Sequence, residues 1–383
     1  MALIYLLLLP ISITILVAIT VSRFLTTSAA SKHRSPPLPP GPKPWPIIGN
    51  LPHLGKQAHI SLQHFSQLYG PLISLRLGSQ LLVVASSTAA AAEILRTHDR
   101  LLSARYVSTG LPYDMMELDR KAIVWASNCS NDQWKAFRAM FRNQIFSTKA
   151  IESQAAARER KAAEMVRFLE GKLGEELFMA GTDTNTTAIE WAMTELIRNK
   201  GAMNKLREEL NAELSSPLER KLPLDECVVS RLPYLNAIVK ETLRLHPPGP
   251  LMLPHRASET CEVMNFTVPE GAKILVNVWA ISRDPTVWED DPTSFKPERF
   301  IGSKVDFRGH DFEFLPFGAG RRMCPGVPLA TRQISLILAA IVRNFDWCLP
   351  DGKDPAELDM NEKFGFTLQK EQPLLLVPNR CSL

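Results

Sequence analysis

The sequence predicts a mainly α-helical fold with a small β portion, arranged as one large domain. Helical periodicity dominates residues 132 to 215, whereas strand-like patterns are concentrated in residues 71 to 86 and 265 to 280. No internal repeat is visible along the 383 residues. A composition of 45% apolar and 22% charged residues is ordinary for a globular protein. The chain is therefore long and apolar enough to bury a large core.

The N-terminus predicts a membrane anchor. Residues 2 to 22 carry no charge and, as a helix, are long enough to cross roughly 30 Å of hydrocarbon. A cleaved signal peptide is disfavoured because the basic start is absent and the apolar run is too long. Basic residues follow the span at Arg23, Lys32, His33 and Arg34, so the positive-inside rule places the rest in the cytosol.

We therefore expect three parts. These are an anchor at residues 1–24, a basic, proline-rich hinge at 25–46 and one large domain at 47–383. Prolines favour stiff, extended geometry, so the hinge is interpreted as a spacer. A ligand for an SH3-type domain is the alternative for this segment.

The elements that follow are predicted in chain order. A helix covers residues 60–69, a hairpin covers 71–86 with its turn at residues 77–80, and a helix covers 87–98. Ser87 or Thr88 is the candidate N-cap of that helix. The strand-like patch at 265–280 alternates about a Pro-Glu-Gly turn.

Charge and cysteine usage exclude some classes of function. The formal net charge is only +4, and basic residues are interspersed with acids, so nucleic acid is not an expected partner. The six cysteines form no CxxC pair, which favours a reducing compartment over a disulfide scaffold or a zinc site.

Cys324 stands in an unusual setting, the stretch FLPFGAGRRMCPGVPLA at residues 314–330. A thiolate that binds a metal or attacks carbon needs its negative charge stabilised. Gly318, Gly320 and Gly326 would let the backbone turn tightly and direct N–H donors at the sulfur. For the cysteine alone, a buried and inert thiol in a glycine-rich loop is an equal alternative.

The spacing Phe317-x-x-Gly320-x-Arg322-x-Cys324-x-Gly326 resembles the haem-ligand loop of the cytochrome P450 family. Three further signatures stand upstream in the family's order: AGTDT at 180–184, KETLR at 240–244 and FKPERF at 295–300. The resemblance implies a haem-thiolate fold in which Cys324 is the axial ligand of the haem b iron. It also implies that Phe317, Gly320, Arg322 and Gly326 contact the haem.

Glu241 and Arg244 lie three apart on a predicted helix, so their side chains can meet on one face. The resemblance implies that Arg299, from a loop, completes a buried network behind the cysteine loop. Taken alone, such a helical pair is more often a solvated surface pair.

Residues 178–196 are predicted as a helix on which Ala180 and Thr184 share a face, with Gly181 keeping that face thin. The resemblance implies that these residues flank the haem and that Asp183 and Thr184 relay protons to bound dioxygen. The alternative is local capping by the aspartate and threonine. Asn185 departs from the family pattern, which has Thr or Ser at that position.

Haem carries two propionates, which need cations or indole N–H groups. Trp134 and Arg138 lie four apart on one predicted helical face and match the family's W-x-x-x-R pattern, while His255 and Arg322 are further candidates. A lone W-x-x-x-R is more often core plus surface.

Prolines in residues 244–257 predict an extended crossing, which lines the substrate pocket in the family, as does the turn at 362–370. The residues expected to make that pocket apolar are Leu251, Met252, Leu253, Phe364 and Phe366.

One region is short. Only 41 residues separate Arg138 from Ala180, where family members carry on the order of a hundred more, enough for several helices. We therefore expect a deletion near 165–181, which removes helices between the Trp134/Arg138 helix and the long distal helix. The missing part would roof the pocket, and catalysis needs an enclosed site.

The resemblance implies a single-pass enzyme of the endoplasmic reticulum membrane that hydroxylates a small apolar plant metabolite, terpenoid-like first, as geraniol and iridoid hydroxylases do. Its partners would be O2, membrane lipid and NADPH-cytochrome P450 reductase, through which NADPH supplies electrons. Two alternatives stay open: a truncated, non-catalytic isoform or incomplete gene model, and an O2-independent haem-thiolate isomerase or dehydratase.

Overall fold

A computed structural model describes residues 36–107, 122–126, 131–172, 177–179, 184–213, 224–365 and 367–380. The predicted membrane anchor lies outside these ranges, as do Ala180, Gly181, Asp183 and Phe366. Among the described residues, none of the helices has both the length and the apolar character needed to cross a membrane. From Leu38 onwards the chain forms one compact unit.

Helices are the main regular structure of this unit. They are α1 (Leu51–Leu54), α2 (Ala58–Tyr69), α3 (Thr88–Ala92), α4 (Asp99–Leu102), α5 (Asp132–Met140), α6 (Thr148–Ser153), α7 (Ala155–Glu170), α8 (Thr184–Arg198), α9 (Lys200–Glu213), α10 (Glu226–Val229), α11 (Pro233–Leu245), α12 (Val278–Ile281) and α13 (Val327–Asn344). Single π-helical turns, Glu93–Thr97 and Phe141–Ile145, extend α3 and α5.

The strands are short. They are β1 (Leu72–Leu77), β2 (Gln80–Ala85), β3 (Ala104–Arg105), β4 (Leu177–Met179), β5 (His255–Arg256), β6 (Cys261–Val263), β7 (Phe266–Val268), β8 (Lys273–Val276), β9 (Phe345–Cys348), β10 (Glu362–Phe364), β11 (Leu368–Lys370) and β12 (Leu374–Arg380). The fold is thus mostly helical with a small sheet portion, as the sequence predicts.

The predicted hairpin at 71–86 is confirmed. Strands β1 and β2 pair antiparallel from Leu72 opposite Ala85 to Leu77 opposite Gln80. Gly78 takes φ of 61° in the two-residue turn, a conformation that glycine adopts without strain. These strands begin a five-stranded sheet of order β1-β2-β8-β5-β3.

The Pro-Glu-Gly turn predicted in the second strand-rich patch is confirmed, because Ala272 N donates to Pro269 O at 3.1 Å, but the strands on its two sides belong to different sheets. Strand β7 pairs antiparallel with the preceding strand β6, across a turn at Met264 and Asn265, which both have positive φ. Strand β8 instead runs parallel to β2 in the larger sheet. Buried Val263 and Val268 join the same apolar cluster as Ile274 and Val276 of β8. The pairing of β7 and β8 is therefore decided by packing between the sheets, which the local sequence pattern does not encode.

The predicted helices at 60–69 and 87–98 are confirmed, and Ser87 is the N-cap, because its Oγ accepts a hydrogen bond from Ala90 N at 3.2 Å. The main core is formed by the central helices α8, α9, α11 and α13. Every residue of α8 from Thr187 to Ile197 is buried. This helix therefore runs through the middle of the molecule.

The prediction that α8 begins by residue 178 is wrong. Phe178 and Met179 belong to β4, which pairs antiparallel with Leu374–Leu376 of β12. A strand edge supplies backbone partners to this segment, so its N–H and C=O groups are satisfied without a helix. The first described residue of α8 is Thr184.

The extended crossing predicted for 244–257 is present only near its end, where His255–Arg256 form strand β5. Prolines end α11 at Leu245, as expected, but a turn follows in which Met252 N donates to Gly249 O at 3.1 Å. Trp279 N holds the turn by donating to Pro250 O at 3.1 Å, and Leu368 N donates to Pro248 O at 2.9 Å.

Candidate active site

The cysteine loop connects a tight turn at Gly320–Arg322 to the start of α13. Cys324 N donates to Phe317 O at 2.9 Å, which closes the loop. Burial raises the pKa of the Cys324 thiol above its ordinary value, although hydrogen bonds from the Gly326 and Val327 backbone and the Arg138 charge act in the opposite direction. The prediction of N–H donors aimed at the sulfur is thereby confirmed for Gly326.

Gly320 is the position in this loop where no other residue fits. Its φ is 66°, and a Cβ built there would lie 2.2 Å from Leu95 O. The neighbouring Arg321 N and guanidinium bind Asp99 of α4, whose own pKa is raised by burial. The loop is thus fixed against the π-helical turn after α3 and against α4.

Cys324 is exposed and lines a cavity of about 520 Å³, although the surrounding protein partly desolvates its thiol. Eleven predicted site residues line this cavity besides Cys324: Trp134, Arg138, Thr184, Leu251, Met252, Leu253, His255, Phe317, Arg322, Gly326 and Phe364. Gly320 lines a neighbouring hollow instead. Residues from distant parts of the described chain therefore line one cavity together with Cys324.

The predicted cations lie on the cavity wall, where their donors contact backbone carbonyls. Arg322 donates to Ser103 O at 2.9 Å and to Ala126 O at 2.5 Å. Arg138 Nη2 donates to Met323 O at 2.9 Å, directly beside the cysteine. Both guanidinium groups face the Trp134 ring, at 4.8 and 5.6 Å from its centroid.

The Trp134 indole N–H, expected to face a propionate, donates instead to Ile123 O at 2.9 Å. The sequence pattern correctly places the tryptophan and the arginine on one helical face. It could not show which acceptor the indole uses, because that acceptor lies 11 residues away on an irregular segment.

His255 is buried, and its pKa is held well below the ordinary value by burial and by the charges of Arg105 and Arg322. Within the described residues its Nδ1 has no hydrogen-bond partner. Sequence reasoning missed Arg105, which lies opposite His255 in the β3–β5 pair and donates to Leu253 O at 2.7 Å. No motif marks this arginine, since only the strand pairing brings it here.

Glu241, Arg244 and Arg299 do meet. Arg244 Nε and Nη2 bind the Glu241 carboxylate at 2.7 and 2.8 Å, and Arg299 Nε approaches Glu241 Oε1 at 3.4 Å. Arg244 also donates to Ser282 O and Pro292 O. The side chains of Glu241 and Arg244 are 0% exposed, so the surface alternative is excluded.

A chain of aromatic rings leads from this network to the cysteine loop. The Arg244 guanidinium lies 5.1 Å from the Trp288 ring centroid. Successive ring contacts at 5.1 to 6.3 Å then connect Trp288, Phe300, Phe314, Phe307 and Phe317. Since Phe317 O accepts the Cys324 N–H, the buried ion pair and the sulfur share one packed unit.

The opposite wall is less enclosed. Thr184, the first described residue of α8, is exposed. Asn185, the departure from the family pattern, donates from Nδ2 to Gln333 Oε1 of α13 at 3.2 Å. Asp183, Ala180 and Gly181 lie outside the described residues, so their predicted meeting with Thr184 stays a prediction.

The family model for cytochrome P450 matches residues 39–176 and 172–377. The chain belongs to the cytochrome P450 family. The two matched stretches cover most of the sequence and meet at residues 172–176, inside the segment where the sequence predicts a deletion.

Plant hydroxylases of this family are similar to the chain. A probable (S)-N-methylcoclaurine 3'-hydroxylase of Coptis japonica is 40% identical, over 89% of this chain and 93% of the relative. An isozyme of that hydroxylase from Papaver somniferum is 38% identical over 95% and 99%, and geraniol 8-hydroxylase of Catharanthus roseus is 32% identical over 97% and 99%. By family, the chain is an oxidoreductase of the monooxygenase type.

This P450 is shorter than its relatives. The alignment to the Papaver somniferum protein spans 488 residues, yet 95% of this chain is about 364 residues. About 124 aligned positions therefore carry no residue of this chain.

Proposed function

We propose that this P450 is a haem-thiolate monooxygenase that hydroxylates a small apolar plant metabolite, terpenoid-like first. O2 would be the oxidant, and NADPH would supply electrons through NADPH-cytochrome P450 reductase. The observation that carries the proposal is the Cys324 sulfur, which opens into a cavity of about 520 Å³ while two backbone N–H groups contact it.

The residues present fit haem b. A sulfur that faces open space and accepts backbone N–H bonds is suited to bind iron as a thiolate, because those bonds stabilise its negative charge. Arg138, Arg322 and His255 would hold the propionates, with Arg105 as a further cation on the same wall. The unpartnered Nδ1 of His255 supports this assignment.

Bound haem would supply the activation of dioxygen. The chain's own residues position the substrate and exclude water: Leu251 is buried, while Met252, Leu253 and Phe364 complete an apolar wall. Thr184 and Asp183 would hold and pass protons on the opposite side, where Thr184 lines the cavity.

A second hollow, of about 810 Å³, shares Trp134, Arg138, Phe146 and Cys324 with the first and supports docking of a reductase. The further cations on its wall are Lys135, Arg142, Arg308 and Arg332. An acidic reductase surface would complement this charge. We further propose that residues 2–22 anchor the protein in the endoplasmic reticulum membrane with the catalytic domain in the cytosol.

A non-catalytic isoform is the second candidate, and the exposed Thr184 at the start of α8 favours it. We propose that the shortening lies within 165–181, where the two family matches meet. Loss of about 124 positions there would remove the helices that enclose the distal side. An open distal side would admit water and favour side reactions.

The reduced, carbon monoxide-bound difference spectrum of the purified protein tests the proposal. A thiolate-type Soret band is expected for the unaltered chain and should be lost in Cys324→Ala. Cys227→Ala is the matched control, because Cys227 is another exposed, free cysteine. A thiolate band that persists in Cys324→Ala would disprove the ligand assignment.

Measured hydroxylation of geraniol with added reductase and NADPH then separates the two candidates. A chain that shows the Soret band but forms no product, and consumes NADPH without hydroxylation, is the non-catalytic isoform. Product formation would instead show that the shortened distal side still encloses a substrate.

A further inference from the structure

The hairpin β10–β11 presents an apolar tip to the cavity and a charged base to the core. Phe364, Gly365 and Thr367 of the tip line the cavity above the cysteine loop. Glu362 begins the hairpin opposite Lys370 and is only 9% exposed. Because Glu362 and Phe364 are two residues apart on one strand, their side chains leave the same face.

The Glu362 carboxylate contacts side chains from three other segments of the chain. Oε2 shares a hydrogen bond with His59 Nε2 at 3.2 Å and accepts one from Trp279 Nε1 at 2.9 Å. Oε1 lies 3.5 Å from His246 Nδ1 and 3.6 Å from Arg283 Nη2. The hydrogen bond with His59 and the nearby His246 and Arg283 lower the pKa of Glu362 to about 2, although burial opposes the shift.

His59 connects this carboxylate to the cavity wall. Its ring is 0% exposed and stacks on the Phe364 ring, with centroids 5.4 Å apart and planes inclined by 28°. The Trp279 ring contacts the imidazole in a T-shaped arrangement, with centroids 5.1 Å apart. The orientation of His59 is therefore fixed by Glu362 and Trp279, and it in turn supports one face of Phe364.

The same cluster reaches the central helix. His246 Nε2 lies 2.8 Å from Glu195 Oε1 of α8, and the imidazole stacks on Trp191 of that helix at 3.8 Å with planes inclined by 1°. Trp191 Nε1 donates to Leu368 O, on the other arm of the hairpin, at 3.2 Å. Both arms are therefore tied to α8, which carries Thr184.

We propose that Glu362 is a positioning residue, which acts through His59 to hold Phe364 in the cavity wall and thereby sets the affinity for apolar substrates. This inference deepens the proposed function and rests on it for the role of the cavity. Glu362 itself does not line the cavity. Its influence on a ligand must therefore pass through the hairpin.

Hydrogen–deuterium exchange of the full chain tests the positioning step without haem or ligand. Glu362→Gln keeps the side-chain volume but removes the charge, so exchange of amides in residues 362–370 should rise by about tenfold. Glu371→Gln is the matched control, the same change at an exposed position just after β11, and should leave exchange unchanged. Unchanged exchange in Glu362→Gln would overturn the proposal.

Geraniol binding, measured by isothermal titration calorimetry, tests the link to Phe364. Glu362→Gln should weaken binding about 5- to 10-fold, since a well-placed aromatic contact contributes about that factor. In a Phe364→Leu background the same substitution should change binding less than about twofold. The full factor in both backgrounds would show that Glu362 acts on stability alone and would overturn the proposal.

If Glu362→Gln does not fold, His59→Phe replaces it, because phenylalanine keeps a ring beside Phe364 but cannot bind the carboxylate. It should raise exchange in the hairpin in the same way, and unchanged exchange would overturn the proposal. The carbon monoxide difference spectrum of each variant is recorded in parallel. Absence of the Soret band in the unaltered chain would count against the proposed function. The exchange result would still decide the role of Glu362.

Discussion

The two walls of the cavity differ in how they are held. On the cysteine side, Glu241 and Arg244 are wholly buried, their charges are matched, and aromatic rings carry their packing to Phe317. On the α8 side, Thr184 is exposed at the start of its helix. The cysteine side thus rests on mutually buried groups, and the α8 side begins at a solvent-facing edge.

The difference follows from where the contacts lie in the sequence. The ion-pair network and its aromatic chain draw only on residues 241 to 317, all downstream of residues 165–181, where we propose the shortening. Thr184, on the α8 side, instead lies only three residues after that segment. A shortening near 165–181 can therefore spare the first region completely while altering the second.

Arg244→Ala should produce the largest effect, because it leaves the Glu241 carboxylate buried with one partner fewer. The expected loss in free energy of unfolding is about 3–5 kcal/mol, measured by urea denaturation. Lys205→Ala is the control: its pair with Glu298 is 57% and 50% exposed, so about 0–1 kcal/mol is expected. Equal losses of unfolding free energy in the two variants would show that the buried Glu241–Arg244 pair contributes no more stability than an exposed pair.

Glu362 lies behind the cavity wall formed by the β10–β11 hairpin, and its contribution to stability should depend on pH. Its pKa of about 2 in the folded state is below the ordinary 4.5. The ionised carboxylate therefore stabilises the fold above about pH 4.5, by on the order of 3 kcal/mol, and this contribution is lost as the pH falls toward 2. Urea denaturation of the unaltered chain and Glu362→Gln should show the full difference at pH 7, less than half of it at pH 3, and convergence only below about pH 2. A difference that stays constant over this range would contradict the assignment.

Gly320→Ala tests the cysteine loop by geometry. A methyl group there would lie 2.2 Å from Leu95 O at a positive φ, so the loop must shift, at a cost of about 3 kcal/mol. Gly302→Ala is the control, because Gly302 has φ of 73° but no atom within 4 Å of the added Cβ. It should cost about 1 kcal/mol through backbone strain alone. Thermal unfolding of both variants checks the ranking, and similar losses would show that the Leu95 contact carries no weight.

Prediction from sequence succeeds where a motif specifies local geometry. The i, i+3 spacing of Glu241 and Arg244 and the N-cap at Ser87 both depend on near neighbours in the chain, and the structure has both. Failures occur where distant contacts decide, as in β4, which pairs with a strand nearly 200 residues later. Arg105 and the His59–Glu362 pair were missed for the same reason, since only tertiary packing brings them to the site.

Thr184→Ala should have the smallest effect on stability, because it lies on the less buried α8 side of the cavity. An exposed residue at a helix start has few contacts to lose, and the free energy of unfolding should change by less than about 0.5 kcal/mol. Thr194→Ala, ten residues later on α8, removes a buried hydroxyl that donates to Glu190 O at 2.8 Å, so about 1–2 kcal/mol is expected. Urea denaturation of the two variants compares the edge of α8 with its middle. A large loss of unfolding free energy in Thr184→Ala would mean that the start of α8 is held as firmly as the cysteine side. The exposure of Thr184 would then no longer support a difference between the two cavity walls.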